Sequence, residues 1–250
     1  MIREIEYAAR THRIGLIVPS SNTNVEPDFQ LLCPAGVTVH SVRSGGYDIN
    51  AIPDSDEMQK FVRQSLDQNL ADLADSRMDV IAYGCTSATL SEGPVFDAEF
   101  CRGLTEKTGK PTVTTAGALI EALKALNIKR VAFTSPYVKR LSAEAVRFLD
   151  QSGINVVNEL AFEQELSSLE QNALTPQDAF EMACKVNCED AEAIVISCTD
   201  YRSLEAVLDI EAELNKPVIT SNQALAYACL KRLGLPTTEI ARGGILFRDC

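Results

Sequence analysis

Two stretches of this chain decide its fold: VIAYGCT at residues 80–86 and AIVISCT at residues 193–199. Each is a short apolar run that ends in a Cys-Thr dipeptide, which predicts a buried strand followed by a turn. Three further pairs of segments match in the same order: HRIGLIVP at 12–19 with KRVAFTSP at 129–136, GVTV at 36–39 with GINV at 153–156, and KPTVTT at 110–115 with KPVITS at 216–221. Four matches in one order indicate that the chain contains two copies of one α/β unit.

The predicted elements alternate between strands and helices. Short β-branched runs predict strands at residues 14–18, 37–42, 80–83, 112–114, 131–134, 154–157, 193–196 and 218–220. Amphipathic stretches between them predict helices at residues 57–74, 142–150 and 204–214. Such alternation favours βαβ units with right-handed crossovers and a mainly parallel sheet that is covered on both faces. We therefore expect an α/β chain of two pseudo-symmetric α/β/α lobes with mainly parallel sheets, which face each other across a cleft.

The repeat also suggests where the lobes divide. We expect residues 13–115, together with about 222–250, to form the first lobe. Residues 116–221 would form the second lobe, and residues 1–12 would be an N-terminal tail.

Composition limits the class of protein. With 250 residues, of which 46% are hydrophobic and 23% charged, the chain is suited to one large folded domain or two small ones and not to disorder. Its net charge of -12 argues against nucleic acid or an anionic membrane as a partner. No apolar run approaches the roughly 20 residues of a membrane helix, and residues 1–13 lack the apolar core of a signal peptide. We expect a cytoplasmic protein that is able to form a homo-oligomer.

The chain contains eight cysteines but no Cys-x-x-Cys pair and only two histidines. A disulfide framework is typical of short secreted chains, and a zinc site needs more ligands than this pattern offers, so we expect free thiols and no metal. Six of the cysteines end no repeated strand and are expected to be dispensable: Cys33, Cys101, Cys184, Cys188, Cys229 and Cys250.

The two Cys-Thr dipeptides, Cys85-Thr86 and Cys198-Thr199, stand at the carboxyl ends of equivalent strands. Ligands of parallel α/β sheets bind at that end, so the repeat predicts that both thiols lie on opposite walls of one cleft. A helix that begins after each cysteine would lower the thiol pKa, and its amides, with the hydroxyls of Thr86, Ser87 and Thr199, suit a carboxylate. One such cysteine alone would be interpreted as a small buried residue, whereas two at equivalent positions favour a catalytic pair.

The loop PSSNT at residues 19–23 follows the first predicted strand and leads into a helix. Capping of that helix explains either Asn22 or Thr23. Ser20 and Ser21 are then left as candidate contacts to a ligand.

The equivalent loop of the second repeat is SPY at residues 135–137. It offers Ser135 and the phenol of Tyr137, which is either a donor to a substrate oxygen or an ordinary turn aromatic. His12 precedes a predicted strand and His40 lies within one, so neither is placed as a catalytic base. The two thiols are therefore the candidate titrating groups of the cleft.

Together these motifs resemble the maleate cis–trans isomerase family. The resemblance extends from residue 13 to residue 247, and its motifs are PSSNT at 19–23, GCTS at 84–87, SPY at 135–137 and SCT at 197–199. That family belongs to the aspartate/glutamate racemase superfamily, as do the hydantoin racemases and the arylmalonate decarboxylases. The resemblance implies that Cys85 is the nucleophile and that Cys198 is its acid/base partner. It also implies that Asn22 and Tyr137 bind the substrate and that the reaction needs no cofactor.

One departure from the family concerns the substrate. Maleate isomerases usually carry a further substrate-binding asparagine early in the second half of the chain. Here residues 163–168 contain none, and the next asparagine is Asn172. The resemblance therefore predicts the mechanism better than the substrate.

Two thiols on opposite sides of a substrate support several cofactor-free reactions. An isomerase adds a thiolate to a small dicarboxylic acid such as maleate, allows the new single bond to rotate and eliminates fumarate. A racemase of an amino acid or hydantoin removes a proton from one face of a carbon and returns one to the other. An arylmalonate-type decarboxylase needs only one cysteine, and a two-lobed protein that merely binds a small acid is the non-enzymatic alternative. The resemblance of the Ser-Ser-Asn-Thr loop favours the isomerase.

Different neighbours predict different roles for the two cysteines. Cys85 is followed by Thr86 and Ser87, which offer donors to a carboxylate, whereas Asp200 follows Cys198 by two residues. A carboxylate there would raise the pKa of the Cys198 thiol, provided that Asp200 does not point into solvent. We therefore expect Cys85 to attack as a thiolate and Cys198 to donate a proton.

Overall fold

The computed structural model describes residues 12–45, 47–54, 56 and 66–249, which form two similar halves. The first half contains β1 (His12–Pro19), α1 (Val25–Leu32), β2 (Val37–Ser44), α2 (Leu66–Asp75), β3 (Val80–Tyr83), α3 (Ser87–Leu90), α4 (Pro94–Thr108), β4 (Thr112–Thr114) and α5 (Thr115–Ala125). The second half contains β5 (Arg130–Ser135), α6 (Lys139–Gln151), β6 (Asn155–Ala161), α7 (Ser168–Asn172), α8 (Pro176–Val186), β7 (Ala193–Ile196), α9 (Val207–Leu214), β8 (Val218–Thr220) and α10 (Ser221–Arg232). The chain closes with α11 (Gly244–Asp249), and short 3-10 turns precede α9 and α11.

Each half contains one four-stranded sheet whose neighbouring strands are all parallel. The strand order is β2-β1-β3-β4 in the first sheet and β6-β5-β7-β8 in the second. Every residue of the inner strands β3 and β7 is buried, as expected of a parallel sheet that is covered by helices on both faces. The predicted α/β class with two similar, mainly parallel lobes is confirmed.

The repeated KP motif explains how each half ends. Thr114 and Thr220 close β4 and β8, and the side chain of each accepts a hydrogen bond from the first turn of the following helix. Those helices, α5 and α10, pack against each other, and α10 also contacts α1, β3 and β4 of the first half. One continuous apolar core therefore extends across both sheets.

The strand predictions agree closely with the structure. The strands predicted at 80–83, 112–114, 193–196 and 218–220 match to the residue, and the others are longer than predicted. The helix predicted at 204–214 begins as a 3-10 turn, so its α-helical part starts only at Val207. Of the helix predicted at 57–74, residues 57–65 lie outside the described residues, as do residues 1–11 of the predicted tail and Cys250. Within the described ranges, no helix is long and apolar enough to cross a membrane.

Candidate active site

The carboxyl ends of the two sheets meet around a cavity of about 450 Å³ of empty space, part of which is open to solvent. The described lining includes Tyr47, Cys85, Thr86, Ser87, Tyr137, Gln171, Cys198, Thr199 and Asp200. The structure thus brings both Cys-Thr dipeptides and Tyr137 to one place.

Cys85 lies at the turn between β3 and α3 and is only 6% exposed. Gly84 makes this turn possible, because a Cβ atom there would lie 2.9 Å from the carbonyl oxygen of Ile17 on β1. The Cys85 sulfur lies 3.7 Å from the Ser87 hydroxyl and accepts hydrogen bonds from the amides of Ser87 and Ala88. Burial outweighs these donors and raises the pKa of the Cys85 thiol to about 11. The amides at the start of the following helix lower this pKa as expected, but burial outweighs them, so the expectation of a lowered thiol pKa is wrong for their sum.

Cys198 occupies the equivalent turn after β7 and is 7% exposed. Its φ of 136° lies in a region that residues with a side chain rarely adopt. The thiol donates to Oε1 of Gln171 at 3.6 Å and accepts from the amides of Asp200 and Tyr201. Burial, followed by the negative charge of Asp200, raises its pKa well above the ordinary value. No α-helix begins directly after Cys198, so the predicted helix dipole is absent at this thiol.

The hydroxyls next to the cysteines connect the two halves. Thr86 Oγ1 donates to Ser221 Oγ at 3.0 Å, and the Cys198 amide donates to the same oxygen at 3.0 Å. Thr199 Oγ1 donates to the carbonyl oxygen of Gly84 at 3.1 Å. Both threonines line the cavity, but their hydroxyl protons are used to hold the two cysteine turns together.

Asn22 is completely buried and lies outside the described cavity lining. Its Oδ1 accepts from the amides of Asn24 and Val25 at 2.9 and 3.0 Å, so the Asn22 side chain holds the turn that leads into α1, whose N-cap residue is Asn24. Its Nδ2 donates to Thr199 Oγ1 at 3.1 Å. In this structure Asn22 therefore positions the Thr199 turn, and its contact with a substrate stays a prediction.

Three other predicted contacts also lie outside the described cavity lining. Ser20 is exposed, and Ser135 is completely buried, with its Oγ lacking a partner among the described residues. Ser21 stands one step away from the cavity, because its Oγ lies 2.9 Å from the phenol oxygen of Tyr47, which does line it.

Tyr137 lines the cavity, where it is 4% exposed. Its phenol oxygen lies 3.2 Å from Ser197 Oγ. Burial raises the pKa of Tyr137 well above the ordinary value, and the neighbouring Cys198 and Cys85 add to this effect. The phenol therefore remains protonated and is a candidate donor at the cavity.

Asp200 is 9% exposed, and it borders the cavity instead of pointing into solvent. Its Oδ1 accepts from Asn172 Nδ2 at 3.2 Å, and burial raises its pKa to about 6. Asn172 in turn accepts from Thr23 Oγ1 at 2.9 Å, while Asn24 Nδ2 donates to the backbone oxygen of Asp200 at 2.6 Å. Asn172, whose position departs from the family pattern, thus orients the carboxyl group of Asp200 at the cavity.

Sequence reasoning missed Tyr47 and Gln171 as cavity residues. Both come from segments that lie between the matched blocks, so the repeat gave no signal for them. Among the described residues, no group of three or more histidine, cysteine or acidic side chains is arranged to hold a metal ion.

Comparison with known proteins identifies the relatives of this arrangement. The arylmalonate decarboxylase family model matches residues 14–246. A maleate isomerase of Pseudomonas putida is 31% identical over 248 residues, which cover 94% of this chain and 97% of that protein. The crystal structure of the maleate isomerase from Pseudomonas putida S16 with maleate has a TM-score of 0.87 at 31% identity, with 95% of this chain and 97% of that chain covered.

A second solved structure adds chemical information about a relative. It is a cysteine-to-serine mutant of the Nocardia farcinica maleate cis–trans isomerase with a covalently bound succinylcysteine intermediate. Its TM-score is 0.87 at 28% identity, and 96% of this chain and 99% of that chain are covered. The resemblance seen in the sequence is confirmed. Maleate isomerases are among the relatives of this chain. The chain belongs to the arylmalonate decarboxylase family.

Proposed function

We propose that this protein is a cofactor-independent isomerase that converts maleate into fumarate. The observation that carries the proposal is the pair of buried thiols, Cys85 and Cys198, which border one cavity at equivalent positions of the repeat. Relatives named maleate isomerase match nearly the whole chain. The succinylcysteine bound in one of them supports the addition of a cysteine to the substrate.

In the proposed reaction, the Cys85 thiolate forms a C–S bond with one alkene carbon of maleate. The π electrons move to the other carbon, where the adjacent carboxyl group accepts them as an enediolate. The former double bond is now single and rotates. Cys198 protonates the carbanion to give a succinyl adduct and takes the proton back before elimination. The C–S bond then breaks, the double bond forms again, and fumarate leaves the regenerated thiolate.

The electrostatics of the cavity support this division of roles. Burial raises the pKa of both thiols, but that of Cys85 reaches only about 11, whereas that of Cys198 lies well above its ordinary value. Asp200 is the second largest cause of the shift at Cys198 and a smaller one at Cys85. Before the substrate binds, the larger effect of ionised Asp200 at Cys198 favours Cys85 as the thiol that ionises and Cys198 as the one that keeps its proton.

Neutral donors would hold the substrate carboxylates, because the described lining contains no cationic side chain. The Ser87 hydroxyl and the Tyr137 phenol are the candidate donors. Direct contact by Asn22 would require it to release either Thr199 or the first turn of α1. We propose that Asn22 joins the site by exchanging its bond to Thr199 for one to the substrate.

The test is incubation with maleate, with fumarate followed by proton NMR and with aspartate and phenylmalonate as parallel substrates. We expect fumarate from the unmodified protein and from the control variant Cys184→Ala, whose thiol lies outside the described cavity lining. Cys85→Ala should form none. Racemisation of aspartate or decarboxylation of phenylmalonate without turnover of maleate would replace the proposal by one of its alternatives.

Three broader expectations are also proposals. The lobe boundaries at 13–115 with about 222–250, and at 116–221, are supported by the packing of α10 against α5 and α1. A cytoplasmic location is supported by the seven described cysteines, all of which are free thiols. Assembly into a homo-oligomer is tested by light scattering on the purified protein.

A further inference from the structure

The cavity proposed to take a dicarboxylate is itself bordered by a carboxyl group. Asp200 is the one charged side chain in the described lining, which contains no lysine, arginine or histidine. A doubly charged substrate beside an ionised Asp200 would place three carboxylates in one partly buried space. Like charges in one partly buried space disfavour the ionised form of at least one of the three carboxyl groups.

Asp200 is held in place from two elements. Asn172 at the end of α7 donates to its Oδ1 at 3.2 Å, and Asn24 before α1 donates to its backbone oxygen at 2.6 Å. Its other carboxyl oxygen, Oδ2, has no hydrogen-bond partner in the described part of the chain, and the residue is not sealed from solvent. Asp200 therefore keeps one unoccupied polar atom in a fixed position at the edge of the cavity.

The groups around Asp200 offer no compensating positive charge. Its titratable neighbours are the thiols of Cys85 and Cys198 on the two cysteine turns, and the Tyr137 phenol lies close to both thiols. The side chains that α7 and the loop before α1 present to Asp200 are the neutral amides of Asn172 and Asn24. Ionised forms of the neighbouring thiols would add negative charge, so every titratable neighbour favours a protonated Asp200.

We propose that Asp200 is a specificity-determining residue that must be protonated when the dicarboxylate is bound, so that it donates a hydrogen bond to one substrate carboxylate. This inference rests on the proposed function. At neutral pH, binding of the substrate dianion then takes up one proton from solvent. This proton neutralises the Asp200 carboxylate in the complex. Burial has already raised the pKa of Asp200 to about 6, and the bound dianion must raise it well above 8 for the acid to stay protonated at pH 8.

The proposal also predicts which ligand the site prefers above neutral pH. A monoamide of the same length carries one carboxylate and one N–H donor, and its amide can donate to ionised Asp200 without any proton uptake. Succinate and succinamate are suitable probes, since neither contains the double bond that reacts.

The test is calorimetric titration of succinate at about pH 8 in two buffers with different ionisation enthalpies. We expect the unmodified protein to take up about one proton per succinate, and its dissociation constant to rise about tenfold per pH unit above about pH 6. Asp200→Asn keeps an acceptor for Asn172 and should bind succinate without proton uptake, about 100-fold more tightly than the unmodified protein at pH 8. Asp190→Asn, a change at an exposed turn residue, is the matched control and should behave as the unmodified protein.

Succinamate separates the proposal from a general effect of charge. The unmodified protein should bind it more tightly than succinate at pH 8, and Asp200→Asn should reverse that order. Binding of succinate without proton uptake by the unmodified protein, or weaker binding by Asp200→Asn, would overturn the inference. If Asp200→Asn does not fold, the pH dependence of succinate binding to the unmodified protein decides alone. Turnover of maleate together with succinate binding that takes up no proton would refute only the role of Asp200, whereas absence of both turnover and succinate binding would refute the proposed function as well.

Discussion

Asp28 allows a quantitative test of how the cleft is held together, because its carboxyl group is buried behind the Cys198 turn. It is 3% exposed and accepts from Asn222 Nδ2 at 2.7 Å. The same Nδ2 donates to the backbone oxygen of Thr199 at 3.1 Å, so Asn222 connects α1 to the turn that carries Cys198. Burial raises the pKa of Asp28 from 3.8 to about 7.

The magnitude follows from this shift. Roughly three pKa units correspond to ~4 kcal/mol of preference of the folded protein for the protonated carboxyl group. Because the folded pKa is higher than the unfolded one, this contribution to stability is complete below about pH 4 and is lost as the pH rises through about 7.

We therefore predict that Asp28→Asn removes this loss of stability. The amide keeps an acceptor for Asn222 and cannot ionise, so the variant should lie within about 1 kcal/mol of the unmodified protein near pH 4.5 and exceed it by up to ~4 kcal/mol near pH 8. Urea unfolding followed by circular dichroism across this range measures both free energies of unfolding. Asp190→Asn should follow the unmodified protein. Parallel pH profiles of the unmodified protein and Asp28→Asn would refute the reasoning.

Three further substitutions test the remaining contacts. Tyr137→Phe removes a candidate substrate donor and should lower kcat for maleate about 100-fold, as NMR turnover would show, while the lost contact with Ser197 should cost only about 1 kcal/mol in urea unfolding. Thr199→Val removes the bonds to Gly84 and Asn22 at the same side-chain volume, so urea unfolding should record a loss of about 1–3 kcal/mol. Cys184→Ala should retain kcat within about twofold in the same NMR assay, because its thiol lies outside the described cavity lining.

The repeat made most of the fold predictable. Periodic apolar runs determine the strands β3 and β7, and the matched KP motifs place a capping threonine before α5 and α10. Since the carboxyl ends of equivalent strands must converge, the same repeat places Cys85 and Cys198 at one cavity.

The details of the site depend on contacts between segments that are distant in sequence. Asn22 looked available for a ligand, but a residue 177 positions later and the first turn of α1 use its side chain. The sequence likewise predicts that the helix after Cys85 lowers the pKa of this thiol. In the structure, burial raises this pKa by more than the α3 amides lower it. Local patterns do not report burial by distant segments, so these two features emerged only from the structure.

The most direct test of the central claim is intact-mass and peptide-mapping analysis of Cys198→Ser and Cys85→Ser after incubation with maleate. Cys198→Ser retains the attacking thiol but lacks the thiol that takes the proton back before elimination. We therefore predict that water protonates the carbanion and that a stable adduct with the added mass of one maleic acid accumulates on Cys85. Cys85→Ser should form no adduct. An adduct on Cys198 in Cys85→Ser, with none on Cys85 in Cys198→Ser, would contradict the assigned roles, and no adduct in either variant would contradict covalent addition itself.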